Sequence, residues 1–134
     1  MKTKIPIEVW QVYYFKCHCT LPEPKEKYVV IVYVEPPQFF GFLINSKIND
    51  YLIQQKLQIC EALIKNDQHS FKKPLKRDSY VDCREICPVS ENELFDLPGV
   101  LSRDAKNAVI EAVNACRVLQ RRYKKRILSQ LTPA

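Results

Sequence analysis

Glycine is scarce in this 134-residue chain, which contains only Gly41 and Gly99. Phosphate-binding loops and dinucleotide-binding folds need clustered glycines, so the sequence excludes both classes. Histidine is equally rare, with only His18 and His69, and the motifs Gly-x-Ser-x-Gly and His-Glu-x-x-His do not occur. The catalytic arrangements that sequence alone can reveal are therefore few.

Long apolar segments are also lacking. The longest uncharged apolar run lies near residues 28–34 and is far shorter than the ~20 residues of a membrane-spanning helix. The basic start of the chain is followed by Ile5, Pro6, Ile7 and Glu8 rather than by the apolar stretch of a signal peptide. We therefore expect a cytoplasmic protein that does not contact membranes.

What the chain does contain is typical of one globular domain. Hydrophobic residues make up 46% and charged residues 27%, and a chain of this length can bury a sizeable core without metal or disulfide bonds. We predict a single domain over residues 1–134.

The net charge of +6 is localised. Residues 1–102 carry thirteen basic and thirteen acidic residues, whereas residues 103–134 carry eight basic and two acidic residues. This imbalance fits either a solvated helix face or a polyanionic or acidic partner.

The six cysteines leave more than one interpretation open. Without an export signal, reduced thiols that pack as small apolar residues are favoured over disulfides. A zinc or thiol regulatory site built from Cys17, Cys19, Cys83 and Cys87 is a weaker hypothesis, because the spacing does not match paired structural zinc motifs. We expect no metal and no other cofactor.

Hydrophobic patterning predicts strands over most of the chain. Residues 5–16 alternate as a strand, residues 28–34 form a near-continuous apolar run typical of a central strand covered on both faces, and Pro36-Pro37 ends it. Further strands are predicted at residues 39–44, 59–64 and 79–86. Asn49 or Asp50 is predicted to cap a short helix, His69 to lie in a loop, and residues 91–97 to form a helical turn.

The last predicted element is an amphipathic helix over about 102–128. Ser102 is a favourable N-cap, and apolar residues then recur at helical spacing from Ala105 to Ile127. The residues therefore predict a mainly β fold with α, a small β-barrel or curled sheet over 5–97 with this helix laid on it.

Several segments resemble the MazF/PemK-like toxin family. Arg77-Asp78-Ser79, then Ile86, Pro88-Val89 and the 98–101 segment Pro-Gly-Val-Leu, is similar to the second half of that family. Residues 27–32 resemble its R-P-V-L-V-V strand, and residues 42–46 resemble its v-P-I-T-S strand end. Glu85 stands where the family favours glutamine. The resemblance runs over about 8–119, in order and at compatible spacing.

This resemblance implies an SH3-like β-barrel with a C-terminal amphipathic helix, usually a homodimer. It also implies a metal-independent endoribonuclease that cleaves single-stranded RNA and is held inactive by an acidic antitoxin protein. The catalytic arginine of the family falls at Lys27, and its catalytic threonine or serine falls at Asn45 or Ser46.

A basic and aromatic segment adjoins the first of these motifs. Lysines and an arginine beside an aromatic ring suit single-stranded nucleic acid, because bases stack while the backbone charge is neutralised. The candidate RNA-binding residues are Phe71, Lys72, Lys73, Lys76 and Arg77. The alternative is a catalytically silent barrel that binds protein or RNA without cleavage, which the lysine at position 27 and the asparagine at position 45 favour.

Aromatic residues independently favour a homodimer. The residues Trp10, Tyr14, Tyr28, Tyr33, Phe39, Phe40 and Phe42 exceed what a small barrel interior readily holds, so some are expected to form an exposed interface. The alternative is that the C-terminal helix covers them within one chain.

Overall fold

Antiparallel strands and two helices form the part of the chain that the structure describes, so the protein is mainly β with α, as predicted. A computed structural model describes residues 6–17, 25–45, 53–65, 69–70, 78–91 and 94–131. A short 3-10 turn at Gln58–Cys60 precedes the fourth strand. The strands are β1 (Val12–Cys17), β2 (Lys25–Glu35), β3 (Gln38–Asn45), β4 (Glu61–Ile64), β5 (His69–Ser70), β6 (Ser79–Asp82), β7 (Cys87–Val89) and β8 (Leu94–Leu101), and the helices are α1 (Arg103–Ala115) and α2 (Arg121–Leu131).

The strands belong to one antiparallel sheet. They pair in the order β4-β6-β3-β2-β1-β8-β5, and β7 also pairs with β3. The end strands β4 and β5 each pair with an inner neighbour, so the sheet does not close on itself within the described ranges. The predicted β-barrel is therefore not confirmed.

Strand β2 is the central strand that its apolar run predicted. The side chains of residues 29–32 are fully buried. Val30 and Val32 belong to a core beneath the two helices, whereas Val29 and Ile31 belong to a second core. Because successive side chains of a strand point to opposite faces, one strand supplies the middle of both cores.

Gly41 on β3 permits the close approach of β2. A Cβ atom at this position would lie 2.3 Å from Cγ2 of Val29 and 2.6 Å from the carbonyl oxygen of Val30. No side chain fits at these distances. The glycine is therefore required by packing against the central strand.

The first strand is shorter than the predicted 5–16. Trp10 has a φ of 76°, in the left-handed region, and β1 begins only at Val12. The Gln11 amide closes a turn to the carbonyl of Glu8 at 3.3 Å, and the Trp10 amide donates to the carbonyl of Ile31 at 2.7 Å, which holds this turn against β2. The prediction of a strand over the whole of residues 5–16 fails here, because the alternation of apolar and polar residues does not reveal a turn whose residues are themselves apolar.

The middle of the chain agrees in part with its predictions. The strand predicted at 59–64 is confirmed over residues 61–64 as β4, because residues 59 and 60 belong to the 3-10 turn. The strand predicted at 79–86 ends early, at Asp82. His69, predicted in a loop, begins the short strand β5. Asn49 and Asp50 lie outside the described residues.

The helical turn predicted at residues 91–97 is wrong, because residues 94–101 form β8. This strand pairs with β1, with Leu94 opposite Phe15 and Gly99 opposite Val12. The pairing is long-range, and the local sequence around Pro98 does not reveal it. Backbone hydrogen bonds to a distant strand outweigh local helix propensity here.

The single helix predicted over 102–128 is also wrong, because the chain turns between Cys116 and Gln120. The start was correct, since the Ser102 hydroxyl accepts a hydrogen bond from the Ala105 amide at 3.2 Å. At the break, the Lys124 ammonium donates to the carbonyls of Asn114 and Cys116 at 3.2 and 2.7 Å. Lys124 of α2 thus satisfies carbonyls at the end of α1, and the turn returns the chain to the sheet.

Helix α2 packs against the end of β2. The Gln130 amide both accepts from the Val34 amide and donates to its carbonyl, at 2.9 and 3.0 Å. The Tyr123 ring lies 6.2 Å from that of Phe40. The aromatic residues that predicted an exposed interface are all buried or half-buried in one chain. The homodimer stays a prediction without that support.

Candidate functional site

Two of the residues to which the family resemblance assigns catalysis are in direct contact. The β2–β3 register pairs Val29 with Leu43, and continuing it by two residues sets Lys27 opposite Asn45. The Lys27 ammonium donates a hydrogen bond to Oδ1 of Asn45 at 2.6 Å. Both side chains are half-buried.

The same row of the sheet continues onto the next strands. Asn45 is paired with Tyr80 of β6, and Tyr80 with Leu63 of β4. Directly opposed residues of a sheet share one face, with Cβ atoms about 5 Å apart. Lys27, Asn45, Tyr80 and Leu63 therefore form one transverse row, called here the Lys27 row, in which Tyr80 is half-buried and Leu63 is exposed.

Tyr80 is the polar member of this row that the sequence did not single out. Its segment is predicted only as a strand, and nothing local connects it to Asn45, 35 positions earlier. Only the pairing of β3 with β6 brings them together. Only knowledge of the β3–β6 register could have identified Tyr80 as a neighbour of Asn45.

The Lys27 row supplies groups that suit a phosphodiester. An ammonium carries three N–H bonds, and the bond to Asn45 uses one of them. The amide orients the cation, and the phenol ring of Tyr80 offers an aromatic face for a base. An asparagine side chain donates and accepts hydrogen bonds but does not exchange a proton near neutral pH.

The other predicted site residues lie outside the described ranges. Ser46 follows β3 directly but is not described, and the same holds for the RNA-binding candidates Phe71, Lys72, Lys73, Lys76 and Arg77. Their placement relative to Lys27 stays a prediction.

A pair of carboxyl groups lies on β4 and β6, two residues along each strand from Leu63 and Tyr80. Glu61 is opposite Asp82 across β4 and β6, and strand alternation places both on the face of Tyr80 and Leu63. Asp82 holds Arg84 through two side-chain hydrogen bonds, from Nε at 2.9 Å and from Nη2 at 2.8 Å.

The environment of Glu61 disfavours its ionisation. Both carboxyl oxygens are shut off from solvent, and neither has a hydrogen-bond partner among the described residues. Burial and then the negative charge of Asp82 raise the pKa of Glu61 to about 8. Because its oxygens are enclosed, this carboxyl does not touch a substrate in the arrangement seen.

The cysteine hypothesis receives no geometric support. Cys83 and Cys87 are buried in different cores. Cys19 and the side chain of Cys17 lie outside what the structure describes. Among the described residues, no three His, Cys, Asp or Glu side chains are grouped as metal ligands. Burial raises the pKa of the Cys83 thiol and raises that of Cys60 to about 12, which keeps both thiols protonated.

Comparison with known proteins adds no family to this geometry. The chain matches no protein-family model and shows no significant similarity to a curated protein. In the part of the chain that is described, no helix is long and apolar enough to cross a membrane.

Proposed function

We propose that the protein is a toxin-type, metal-independent endoribonuclease that acts on single-stranded RNA, with Lys27 at the scissile phosphate. The observation that carries the proposal is the hydrogen bond between Lys27 and Asn45. The family resemblance assigns catalysis to positions near two separate strand ends, and a 2.6 Å contact joins two of its candidates on one half-buried surface.

The chemistry defines a role for each group. In the cleavage, the 2′-oxygen attacks phosphorus, its proton goes to a base, the bond to the 5′-oxygen breaks, and that oxygen is protonated as it leaves. The ammonium of Lys27 stabilises the charge that develops on the phosphoryl oxygens. Asn45 orients Lys27, and the Ser46 hydroxyl takes part in proton transfer, as the resemblance implies. Tyr80 stacks on a neighbouring base.

Cleavage of long single-stranded RNA in EDTA tests this proposal. We expect Lys27→Met to lower the cleavage rate by about 10²–10³, the usual effect of losing one donor to a developing oxyanion. Lys27→Arg is expected to retain activity, because a guanidinium forms two parallel bonds to a phosphate. Lys56→Met, at an exposed position, is the matched control. RNA that stays intact with a large excess of the wild-type protein contradicts the proposal.

A second candidate is an RNA-binding protein that does not cleave. It is favoured by the side chain of Asn45, which accepts a hydrogen bond from Lys27 and does not exchange a proton near neutral pH. For this function we expect the logarithm of the RNA-binding constant to fall linearly with the logarithm of the salt concentration, while the RNA stays intact. The acidic antitoxin and the homodimer remain parts of the first proposal, and co-purification and light scattering test them.

A further inference from the structure

A cleft of about 530 Å³ opens where the turn between α1 and α2 meets the sheet. Its walls include the rings of Phe40 and Tyr123, whose centroids are 6.2 Å apart. Val118 projects into the cleft with 51% of its surface exposed, one of few large apolar side chains so exposed among the described residues. Such a volume lies in the range of small-molecule sites.

Polar groups of the cleft are held in defined positions. Arg84 lines it, and the paired bonds to Asp82 fix the plane of the guanidinium while using two of its five N–H groups. Glu85 and Gln120 also line the cleft, where the carboxylate accepts hydrogen bonds and the amide both accepts and donates them. The site therefore combines aromatic walls with a few oriented polar groups.

The surface around the cleft is strongly basic. Residues 112–131 contain six basic and no acidic residues. Arg117 and Arg121 are exposed and flank the lining segment 118–120, and the Arg122 guanidinium lies 4.7 Å from the centroid of the Tyr123 ring. The lining itself has no net formal charge, because Glu85 offsets Arg84, so we expect a negative charge on the ligand to meet the flanking arginines.

We propose that this cleft binds a nucleoside monophosphate unit, with its base against Phe40 and Tyr123. Its phosphate is held by the flanking arginines Arg117, Arg121 and Arg122. Aromatic rings stack on every nucleobase, and guanidinium groups match phosphate oxygens geometrically. The unit is either a free nucleotide or one residue of an RNA chain.

The cleft is separate from the Lys27 row. Phe40 packs against the core beneath the helices, whereas strand alternation places Lys27 on the face of Val29, which belongs to the second core. The two proposals therefore do not depend on one another.

Calorimetric titration of the full chain tests the site, with 5′-AMP, 5′-UMP, adenosine and a short single-stranded oligoribonucleotide as probes. We expect saturable binding of a nucleotide or of the oligonucleotide with a Kd below about 1 mM, and weaker binding of adenosine because it lacks the phosphate. Val118→Asp should weaken binding at least about tenfold by adding a negative charge in the cleft. Val100→Asp is the matched control, since Val100 is 49% exposed on β8 and does not line the cleft.

The remaining arms separate the possible outcomes. Binding of the oligonucleotide alone that Val118→Asp weakens assigns the unit to RNA, and binding of 5′-AMP assigns it to a free nucleotide. Lys27→Met should leave the binding of 5′-AMP and 5′-UMP unchanged even where it abolishes cleavage. Gln120→Ala, a milder exposed variant, should also weaken binding if Val118→Asp does not fold. The proposal is overturned if no probe saturates, if Val100→Asp weakens binding as much as Val118→Asp, or if Val118→Asp converts a dimer into a monomer.

Discussion

Replacing Glu61 by glutamine removes an ionisation that the fold disfavours. The two carboxyl oxygens are enclosed, and Asp82 lies directly opposite across the β4–β6 pair. Glutamine has nearly the same shape as the protonated acid and stays neutral at every pH. The variant should therefore behave as the wild-type protein does with Glu61 protonated.

The direction of the effect follows from proton binding. Because the pKa of Glu61 is about 8 in the folded chain and 4.5 in the reference state, the folded state holds its proton over this interval while the unfolded state releases it. Its contribution to stability is complete below pH 4.5 and is lost as the pH rises to about 8. At 1.36 kcal/mol per pKa unit the ceiling is about 5 kcal/mol, and solvent screening of this half-buried residue reduces the expected effect to about 1–2 kcal/mol.

Urea unfolding from pH 4 to pH 9, followed through the single tryptophan under reducing conditions, measures the difference. We expect Glu61→Gln to match the wild type near pH 4 and to exceed its free energy of unfolding by about 1–2 kcal/mol at pH 9. Glu111→Gln, on the exposed face of α1, is the control. A difference between wild type and Glu61→Gln that does not change with pH would refute the reasoning.

Two further substitutions test the packing that positions the strands and helices. Gly41→Ala should destabilise the protein by about 3 kcal/mol, because the new Cβ atom meets both a side chain and a carbonyl of β2, and Gln38→Ala on the same strand should not. Lys124→Met should cost about 1 kcal/mol by leaving carbonyls of α1 without their charged donor, and Lys125→Met, which is exposed, serves as its control. Both are measured by urea unfolding, and a control that is as destabilised as its variant contradicts the assignment.

Elements whose signals are local were predictable from the sequence. The apolar run of β2, the proline pair that ends it and the Ser102 cap each depend on neighbouring residues, and each is confirmed. Elements set by distant contacts were not predictable. The segment of β8 is a strand because β1 lies beside it, and the helix turns at Cys116 without proline or glycine because α2 packs against β2.

In the candidate site, too, the residue types could be proposed from the sequence, whereas their contacts depend on distant parts of the chain. Lys27 and Asn45 could be proposed from a family resemblance, but their contact depends on the β2–β3 register. Tyr80 and the enclosed Glu61 were missed, because their surroundings come from the pairing of β6 with β3 and β4. Sequence can suggest which side chains carry chemistry, whereas the sheet determines which of them meet.

The contact between Lys27 and Asn45 changes how the sequence's departures from the family that it resembles are understood. Taken separately, lysine in place of arginine and asparagine in place of threonine each weaken the case for catalysis. In the structure the two residues bind one another, and the ammonium uses the amide oxygen that a threonine would not provide. An ammonium is a flexible point charge, whereas a guanidinium is a planar fork. A lysine therefore gains more from a neighbour that orients it. The two departures form one coupled arrangement, a positioned cation on the Lys27 row, and this is what a phosphate-binding site on that row requires.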